Sequence, residues 1–412
     1  MGKINPKHGL STLVNHVGEG HHPFHAHISP IYQTSTFSFP DVATGAAIFK
    51  GEDPGYTYTR IKNPNQVQLA EKIAALEGLD LLRQHPDKNP EEVVCGQVFA
   101  TGMAAITSAI LARVNSGQTM IAQEAVYGAT FTFLHDIAPR MGINVVWLNQ
   151  TGIEHWAAAF EAHPEAVLAY AETPANPTMA IVDLRALAEI AHQHGAWVFV
   201  DNTFSSPYCQ RPLSLGCDVV LHSTTKYLSG HGTIVGGAAA SRHVAWVKGD
   251  LTKSLRILGG SAAPFDTWLT VMGLKTFELR LQRHCDNAAQ VARYLESHPK
   301  VERVYYPGLE SHPDHAIARQ QMHAFGGMIA FELNGGMSAG EALLNHVQVM
   351  TLAVSLGNTD TLIQHPASMT HAGVPRAERL HYGLTDGLVR LSVGIENVED
   401  LLADLEQALA AA

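Results

Sequence analysis

Residues 196–203 read Ala-Trp-Val-Phe-Val-Asp-Asn-Thr, and residues 218–226 read Asp-Val-Val-Leu-His-Ser-Thr-Thr-Lys. Each stretch holds a short, almost wholly apolar run followed by polar residues, which is typical of a strand buried on both faces of a parallel sheet. In open α/β sheets, ligands bind beyond the carboxyl ends of the strands. We therefore expect Asp201 and Lys226 to lie at the ligand-binding edge of one sheet.

Further strand-like and helix-like runs alternate on either side of these two stretches. The pattern predicts an α/β fold in which helices cover both faces of a mostly parallel sheet. Past residue 265 a long helical stretch and two later strands predict a smaller α+β domain. We expect an extended N-terminal arm (1–65), a large cofactor-binding domain (66–264) and a C-terminal α+β domain (265–412). Strand candidates are 97–100, 144–148, 166–171, 196–200, 218–222, 235–240, 328–333 and 388–393, and helix candidates include 66–76, 103–114, 183–194 and 397–411.

The composition limits the functional classes. The chain has 412 residues, 46% of them apolar, and a formal net charge of −11. Nucleic acid is not expected as a partner, because its recognition needs a basic surface. No run approaches the length of about 18 apolar residues that indicates a membrane span, and the polar N-terminus does not resemble a signal peptide. Four cysteines without a CxxC pair are typical of a reduced, cytoplasmic setting.

Five histidines crowd the N-terminal arm, at His16, His21, His22, His25 and His27. Clustered histidines can bind metal. Their spacing is irregular, however, and neither a cysteine nor a pair of carboxylates accompanies them. We expect no metal site.

Three strand ends carry candidate chemistry. Asp201 could bind a metal, a ribose or a protonated ring nitrogen, or simply cap a loop. Lys226 follows two hydroxyl residues and precedes a glycine-rich loop, which suits an aldehyde and a phosphate together, although it could also be a surface lysine. At Gly102 a strand enters a helix, whose first N–H groups suit a phosphate. The GxxxxGK[ST] pattern of a nucleotide P-loop is absent.

Together these three elements match the needs of pyridoxal 5'-phosphate (PLP). That cofactor requires a lysine for its aldehyde, an acid for its pyridinium nitrogen and donors for its phosphate. A desolvated lysine with a lowered pKa is a competent nucleophile toward an aldehyde. We therefore expect Lys226 to bind PLP as a Schiff base.

From residue 28 to residue 394 the sequence also resembles the Cys/Met-metabolism PLP enzymes, the family of cystathionine γ-synthase, cystathionine γ-lyase, methionine γ-lyase and the O-acylhomoserine sulfhydrylases. The motifs are closest to those of methionine γ-lyase. The resemblance implies the aspartate-aminotransferase-like fold (fold type I), with a seven-stranded sheet, in a homotetramer built as a dimer of dimers. The blocks that carry it are 28–34, 56–64, 172–177, 223–227, 365–371 and 391–394.

The resemblance also implies roles for individual residues. Lys226 binds the cofactor and moves protons, Asp201 pairs with the pyridinium nitrogen, and Tyr127 stacks on the ring and serves as the acid or base at the leaving group. Arg390, helped by Ser355, binds the substrate carboxylate. The phosphate is held by Gly102, Met103, Ser223 and Thr225, and by Tyr58 and Arg60 of a neighbouring subunit; Asn176 lies near the ring oxygen and the substrate, and Thr203 joins the cofactor site.

The resemblance implies either γ-elimination or γ-replacement. Val354 stands where cystathionine-handling members carry a Glu, which disfavours cystathionine as the substrate. Ser355 and the Ser368-Met369 pair look like methionine γ-lyase, whereas Ala129 stands where typical methionine γ-lyases have Cys. We predict a γ-lyase for an amino acid with a γ-heteroatom, such as methionine, homocysteine or canavanine. The alternatives are a γ-replacement enzyme (O-acylhomoserine sulfhydrylase or cystathionine γ-synthase) and a PLP-fold binding protein without activity.

Overall fold

A computed structural model describes residue 5 and residues 7–20, 22–176, 178–370, 372–373, 375–381 and 383–412, with the side chains of Glu378 and His381 left out. His21, Pro177 and His371, which belong to patterns discussed above, lie outside the described residues. Among the described residues, no group of three or more His, Cys, Asp or Glu side chains is arranged to hold a metal ion.

A seven-stranded sheet forms the centre of the molecule. Its strands follow the spatial order β1-β7-β6-β5-β4-β2-β3, and all pair in parallel except β7, which runs antiparallel to both β1 and β6. This architecture confirms the predicted α/β class with a mostly parallel sheet. The strands are β1 (Cys95–Phe99), β2 (Thr119–Gln123), β3 (Asn144–Leu148), β4 (Leu168–Glu172), β5 (Trp197–Asp201), β6 (Val219–Ser223) and β7 (Gly237–Ser241).

Alternate residues of each central strand point to opposite faces of the sheet. On one face, Phe199 and Leu221 belong to the core formed with α6 (Gly102–Arg113). On the other, Val198 and Val200 belong to the core formed with α8 (Ile153–Ala162) and α9 (Leu184–Gln193). Because both faces are covered, β4, β5 and β6 are mostly apolar, and the polar residues Glu172, Asp201 and Ser223 stand at their carboxyl ends.

A second sheet of five strands follows in the order β10-β11-β12-β9-β8. Two helices occupy the predicted helical stretch that begins at residue 265, α13 (Pro264–Leu274) and α14 (Phe277–Ser297). The strands are β8 (Val301–Tyr305), β9 (Met328–Leu333), β10 (Thr351–Leu352), β11 (Leu362–Gln364) and β12 (Leu388–Ser392), with α15 (His315–Gln321), α16 (Gly336–His346), α17 (Arg376–His381) and α18 (Val398–Ala411).

The sequence predicts an extended arm over the N-terminal 65 residues, but the structure shows that this segment is not wholly extended. They contain α1 (Leu10–His16) and α2 (Val42–Lys50). The apolar spacing of Leu10, Leu13 and Val14 forms a helix face that is buried in the core. The division into an arm and two domains stays a prediction.

The remaining α-helices lie between these elements. Across the described residues, no helix combines the length and apolar character needed to cross a membrane. The remaining α-helices are α3 (Pro64–Glu77), α4 (Leu79–Gln84), α5 (Pro90–Val93), α7 (Gly128–Thr132), α10 (Ser206–Cys209), α11 (Val244–Trp246) and α12 (Thr252–Leu258).

Candidate cofactor and active site

The carboxyl ends of β4, β5 and β6 bring the predicted chemistry together. Asp201 is the last residue of β5 and only 7% of its side chain is exposed. Its carboxylate accepts the N–H of Thr203 at 3.0 Å. The Thr203 hydroxyl in turn accepts the N–H of Ser223 at 2.9 Å. Thr203 therefore ties the acid to the strand end that leads into Lys226.

Glu172 lies beside Asp201, because the two residues are partners in the pairing of β4 with β5. Burial raises the pKa of both carboxyl groups, and the charge of Asp201 raises that of Glu172 further. Two hydrogen bonds from Thr203 oppose the rise at Asp201. A cationic group beside Asp201 would relieve the repulsion, and a protonated ring nitrogen is such a group.

Glu172 has a role that the sequence argument missed. Its carboxylate accepts the N–H of Tyr127 at 2.7 Å and the N–H of Asn176 at 3.0 Å. It thereby fixes the two loops that carry proposed cofactor contacts. The signal was available, since Glu172 ends an apolar run just as Asp201 does.

The Lys226 ammonium donates to the Ser355 hydroxyl at 2.6 Å. Burial, together with the positive charge of Arg390, lowers the pKa of Lys226 from 10.5 to about 8. A lysine with this pKa is neutral in a large fraction of molecules near pH 8, as attack on an aldehyde requires. Ser355 has φ +93°, a conformation that costs a residue other than glycine about 1–3 kcal/mol.

Arg390 extends into the same space from β12 of the second sheet. Its guanidinium donates to Asn176 Oδ1 and to the backbone oxygen of Ser355, both at 2.9 Å. Gln364 pairs with Arg390 in the adjacent strand β11. With its amide oxygen turned toward the guanidinium, Gln364 accepts a hydrogen bond from Arg390 Nε at 3.0 Å. Burial lowers the pKa of Arg390 to about 10, so it stays cationic at neutral pH. A fixed, buried guanidinium suits bidentate binding of a carboxylate.

The predicted phosphate site is assembled at the start of α6. The Thr101 hydroxyl accepts the N–H of Ala104 at 2.8 Å, and the N–H groups of Gly102 and Met103 precede it in the first turn. Such groups have no acceptor within the helix. A Cβ atom on Gly102 would lie 2.9 Å from Cβ of Ser223, so glycine permits the close approach of helix and strand end. The Thr225 hydroxyl contacts the glycine loop, accepting the N–H of Gly236 at 3.0 Å.

Two predicted site residues, Tyr58 and Arg60, stand apart from this group in the single chain. Arg60 donates to the backbone oxygen of Arg256 at 2.7 Å, and its guanidinium lies 5.7 Å from the centre of the Tyr58 ring. Among the described hydrogen bonds and ion pairs, neither joins the residues around Lys226. The Val354 side chain is exposed next to Ser355, and Tyr127, held through its N–H, presents a half-exposed ring.

Comparison with known proteins agrees with this geometry. A family model for Cys/Met metabolism PLP-dependent enzymes matches residues 11–410. The chain belongs to this family. An L-methionine gamma-lyase of Fusobacterium nucleatum is 45% identical over 410 residues, 98% of each chain. One of Porphyromonas gingivalis is 44% identical over 402 residues, 97% of each chain. A crystal structure of cystathionine gamma synthase from Xanthomonas oryzae with cystathionine superposes with a TM-score of 0.89 at 38% identity, covering 98% of each chain.

Membership of the family implies PLP as the cofactor, and the full-length similarity to L-methionine gamma-lyases confirms the predicted PLP-dependent carbon–heteroatom lyase. The described residues fit the cofactor. Lys226 has a lowered pKa, Asp201 is a buried acid with a raised pKa, and the close approach at Gly102 leaves the first amides of α6 beside Ser223.

Proposed function

We propose that the protein eliminates the γ-substituent of an amino acid that carries a heteroatom at the γ position. The observation that carries this proposal is the convergence of Lys226, Ser355, Arg390 and Asn176. It places a lysine with a pKa of about 8 beside a buried guanidinium. An α-amino acid substrate needs both groups: the lysine to remove the proton on its α carbon, and the guanidinium to bind its carboxylate.

Each residue has a separate task in this proposal. Lys226 would anchor PLP until the substrate's amino group replaces the lysine on the cofactor, which frees the Lys226 amine; the bound cofactor would then supply an electron sink for the substrate's α carbon. Asp201 keeps the ring nitrogen protonated, and Arg390 orients the substrate through its carboxylate. The Lys226 amine removes the α proton and then a β proton, while the Ser355 hydroxyl orients that amine. The Tyr127 hydroxyl donates a proton to the departing γ-group.

The phosphate contacts belong to the same proposal. Gly102, Met103, Ser223 and Thr225 bind the phosphate from the cofactor's own chain. Tyr58 and Arg60 reach it from a neighbouring subunit, which is consistent with their contacts within one chain, where Arg60 binds the backbone oxygen of Arg256 and lies against the Tyr58 ring. The assembly we propose is a homotetramer of two such dimers. Size-exclusion chromatography with light scattering tests it, and Arg60→Ala should weaken PLP binding without changing the mass of the assembly.

Methionine or homocysteine is the substrate favoured by the similarity to methionine gamma-lyases. Ala129 is the reason for a second candidate, canavanine with its oxyguanidine leaving group, because an alanine stands here where typical methionine gamma-lyases have Cys. Val354 offers no charge for a distal ammonium group and so disfavours cystathionine.

The test is incubation of the purified protein with methionine, homocysteine, canavanine and O-acetylhomoserine, the last with and without sulfide. Elimination releases 2-oxobutyrate and ammonia, whereas replacement consumes sulfide. Canavanine also requires measurement of homoserine, since its leaving group can depart by a route that ends there. If none of these amino acids is turned over, the proposal is wrong. If O-acetylhomoserine reacts only with sulfide, the protein is a γ-replacement enzyme.

Lys226→Ala tests the cofactor assignment. We expect the variant to lose the absorbance band at roughly 420 nm that PLP bound to a lysine gives, together with turnover. Retention of both the band and full activity would exclude Lys226 as the anchor. We also propose a cytoplasmic location, supported by four cysteines that are all free. Cell fractionation with an antibody to the protein tests it.

A further inference from the structure

Glu77 is a buried carboxylate that the proposed mechanism does not use. It is the last residue of α3 and is only 1% exposed. The carboxyl end of a helix carries partial negative charge, which disfavours an acid there. Among the described residues, Oε2 of Glu77 has no hydrogen-bond partner. Burial of an acid with one unpaired oxygen carries a free-energy cost, so the contacts of its other oxygen bear on its role.

The other oxygen of Glu77 is bound to two strand ends at once. Oε1 accepts the side-chain N–H of Asn202 at 2.9 Å and lies 2.5 Å from Nε2 of His222. Asn202 directly follows Asp201 at the end of β5, and His222 precedes Ser223 at the end of β6. One carboxylate oxygen thus joins the strand that carries the proposed ring-nitrogen acid to the strand that leads into Lys226.

This contact lies behind the cofactor site. Asp201 pairs with Leu221 across the two strands, so His222 points to the opposite face of the sheet, where α3 lies. Asn202 is held there as well, since its side chain donates to the backbone oxygen of Gln210 at 2.9 Å and its N–H donates to Leu221 at 3.0 Å. Glu77, Asn202 and His222 are all nearly inaccessible to solvent.

We propose that Glu77 is a positioning residue for PLP: by holding Asn202 and His222 it fixes the separation of the β5 and β6 ends, and with it the geometry between Asp201 and the Ser223–Lys226 turn. The inference rests on the proposed function, because it takes Asp201 and Lys226 as the residues that hold the ring. His222 also acts on Asp201 directly, since its charge opposes the rise that burial imposes on the pKa of Asp201.

The test compares Glu77→Leu, which removes the acceptor, with Glu77→Gln, which keeps one oxygen for both donors. The readout is the dissociation constant of PLP, measured by titrating the apoprotein and following the absorbance of the bound cofactor. We expect Glu77→Leu to weaken PLP binding at least about tenfold, because it strands a buried donor and frees the strand ends. Glu77→Gln should restore most of the affinity.

A matched control separates positioning from general loss of stability. Asp404 is also a buried carboxylate, and it accepts the N–H groups of Gln348, Val349 and Met350 in the second sheet's layer. Asp404→Asn should lower the melting temperature while leaving the PLP dissociation constant unchanged. If Glu77→Leu behaves like this control, the positioning role is overturned.

Two further variants keep the outcome decisive. If Glu77→Leu does not fold, His222→Asn removes one of the two contacts of Glu77 Oε1 and should itself weaken PLP binding; wild-type PLP affinity in a folded His222→Asn variant would overturn the inference. Asp201→Ala distinguishes this failure from that of the proposed function. If Asp201→Ala weakens PLP binding and Glu77→Leu does not, only the positioning role fails. If Asp201→Ala also binds PLP normally, the proposed role of Asp201 fails.

Discussion

Lys226 and Ser355 form the central contact of the site, and both are in states that they would not adopt in an unfolded chain. The lysine has a pKa of about 8 because burial and Arg390 disfavour its charge. The serine has a backbone conformation that few side chains adopt. Each departure gives a prediction at the scale of one residue.

The rate at which the apoprotein takes up PLP should increase with pH. Only the neutral amine attacks the aldehyde, and for a pKa of about 8 the neutral fraction grows about tenfold between pH 7 and pH 9. Stopped-flow absorbance after mixing with PLP measures the rate. Arg390→Gln should move the profile to higher pH, since loss of a nearby positive charge raises the pKa of Lys226. A profile that moves to lower pH would contradict this account.

Ser355→Gly should be more stable than Ser355→Ala. Both variants lose the hydroxyl that contacts Lys226, but only glycine adopts φ +93° without strain, which favours it by about 1 kcal/mol. Chemical unfolding of the two variants measures the difference. Ser254 in the helix α12 is the matched control, because there alanine should be more stable than glycine. If the alanine variant is more stable than the glycine variant at Ser355 as well as at Ser254, the backbone of Ser355 is not strained.

At the scale of elements, the start of α6 depends on its close packing against β6. A Cβ on Gly102 would lie 2.9 Å from that of Ser223, so Gly102→Ala must separate the helix from the strand end. We expect PLP affinity to fall about tenfold, because the first-turn amides and the Ser223 hydroxyl no longer converge on one phosphate. Gly249→Ala, where the added atom meets nothing within 4 Å, should bind PLP normally. If wild type, Gly102→Ala and Gly249→Ala bind PLP with equal affinity, the start of α6 does not form the phosphate site.

The elements also show what the sequence could and could not predict. Strands β5 and β6 were found within one residue, since burial on both faces leaves a continuous apolar run. The strand β2 was missed by pattern, because Thr119 and Gln123 at its ends are buried polar residues. The direction of β7 could not be read at all, because its five small residues carry no sign of strand orientation.

The same limit applies to the candidate site. The polar residues at the ends of apolar strands, Asp201 and Lys226, were accessible to sequence reasoning. Glu77 was not, because its partners lie more than a hundred residues away in the chain. Gln364 was missed for a similar reason, since its neighbour Arg390 belongs to another strand of the second sheet. Contacts of this kind follow from topology rather than from local pattern.

At the scale of the whole molecule, Asp218 links a helix, a neighbouring strand and a loop around the seven-stranded sheet. It accepts hydrogen bonds from His192 of α9 at 2.9 Å, from the N–H of Val198 in β5 at 2.8 Å and from His243 after β7 at 2.7 Å. Burial alone would raise its pKa, but these bonds and the charge of Arg242 outweigh burial and lower the pKa to about 2. Asp218 therefore stabilises the fold in its ionised form.

Asp218→Asn should lower stability by about 2 kcal/mol near neutral pH. A lowered pKa means that the stabilisation is complete above pH 3.8 and is lost as the pH falls toward about 2. The gap between the melting temperatures of wild type and variant should thus narrow below about pH 4. Thermal unfolding between pH 3 and pH 7 measures it. A gap that stays constant over this range would show that the carboxylate's charge is not what stabilises the fold.

The contacts of Glu172 have a kinetic consequence for the whole site. Arg390 donates to Asn176 at 2.9 Å, the N–H of Asn176 donates to Glu172 at 3.0 Å, and Glu172 accepts the N–H of Tyr127 at 2.7 Å. The residue proposed to bind the substrate carboxylate and the residue proposed to protonate the γ-substituent are therefore linked by three hydrogen bonds. A substrate analogue without its carboxylate should react slowly even when it saturates the enzyme. Arg390 could not align such an analogue with Tyr127, the residue proposed to protonate the leaving group.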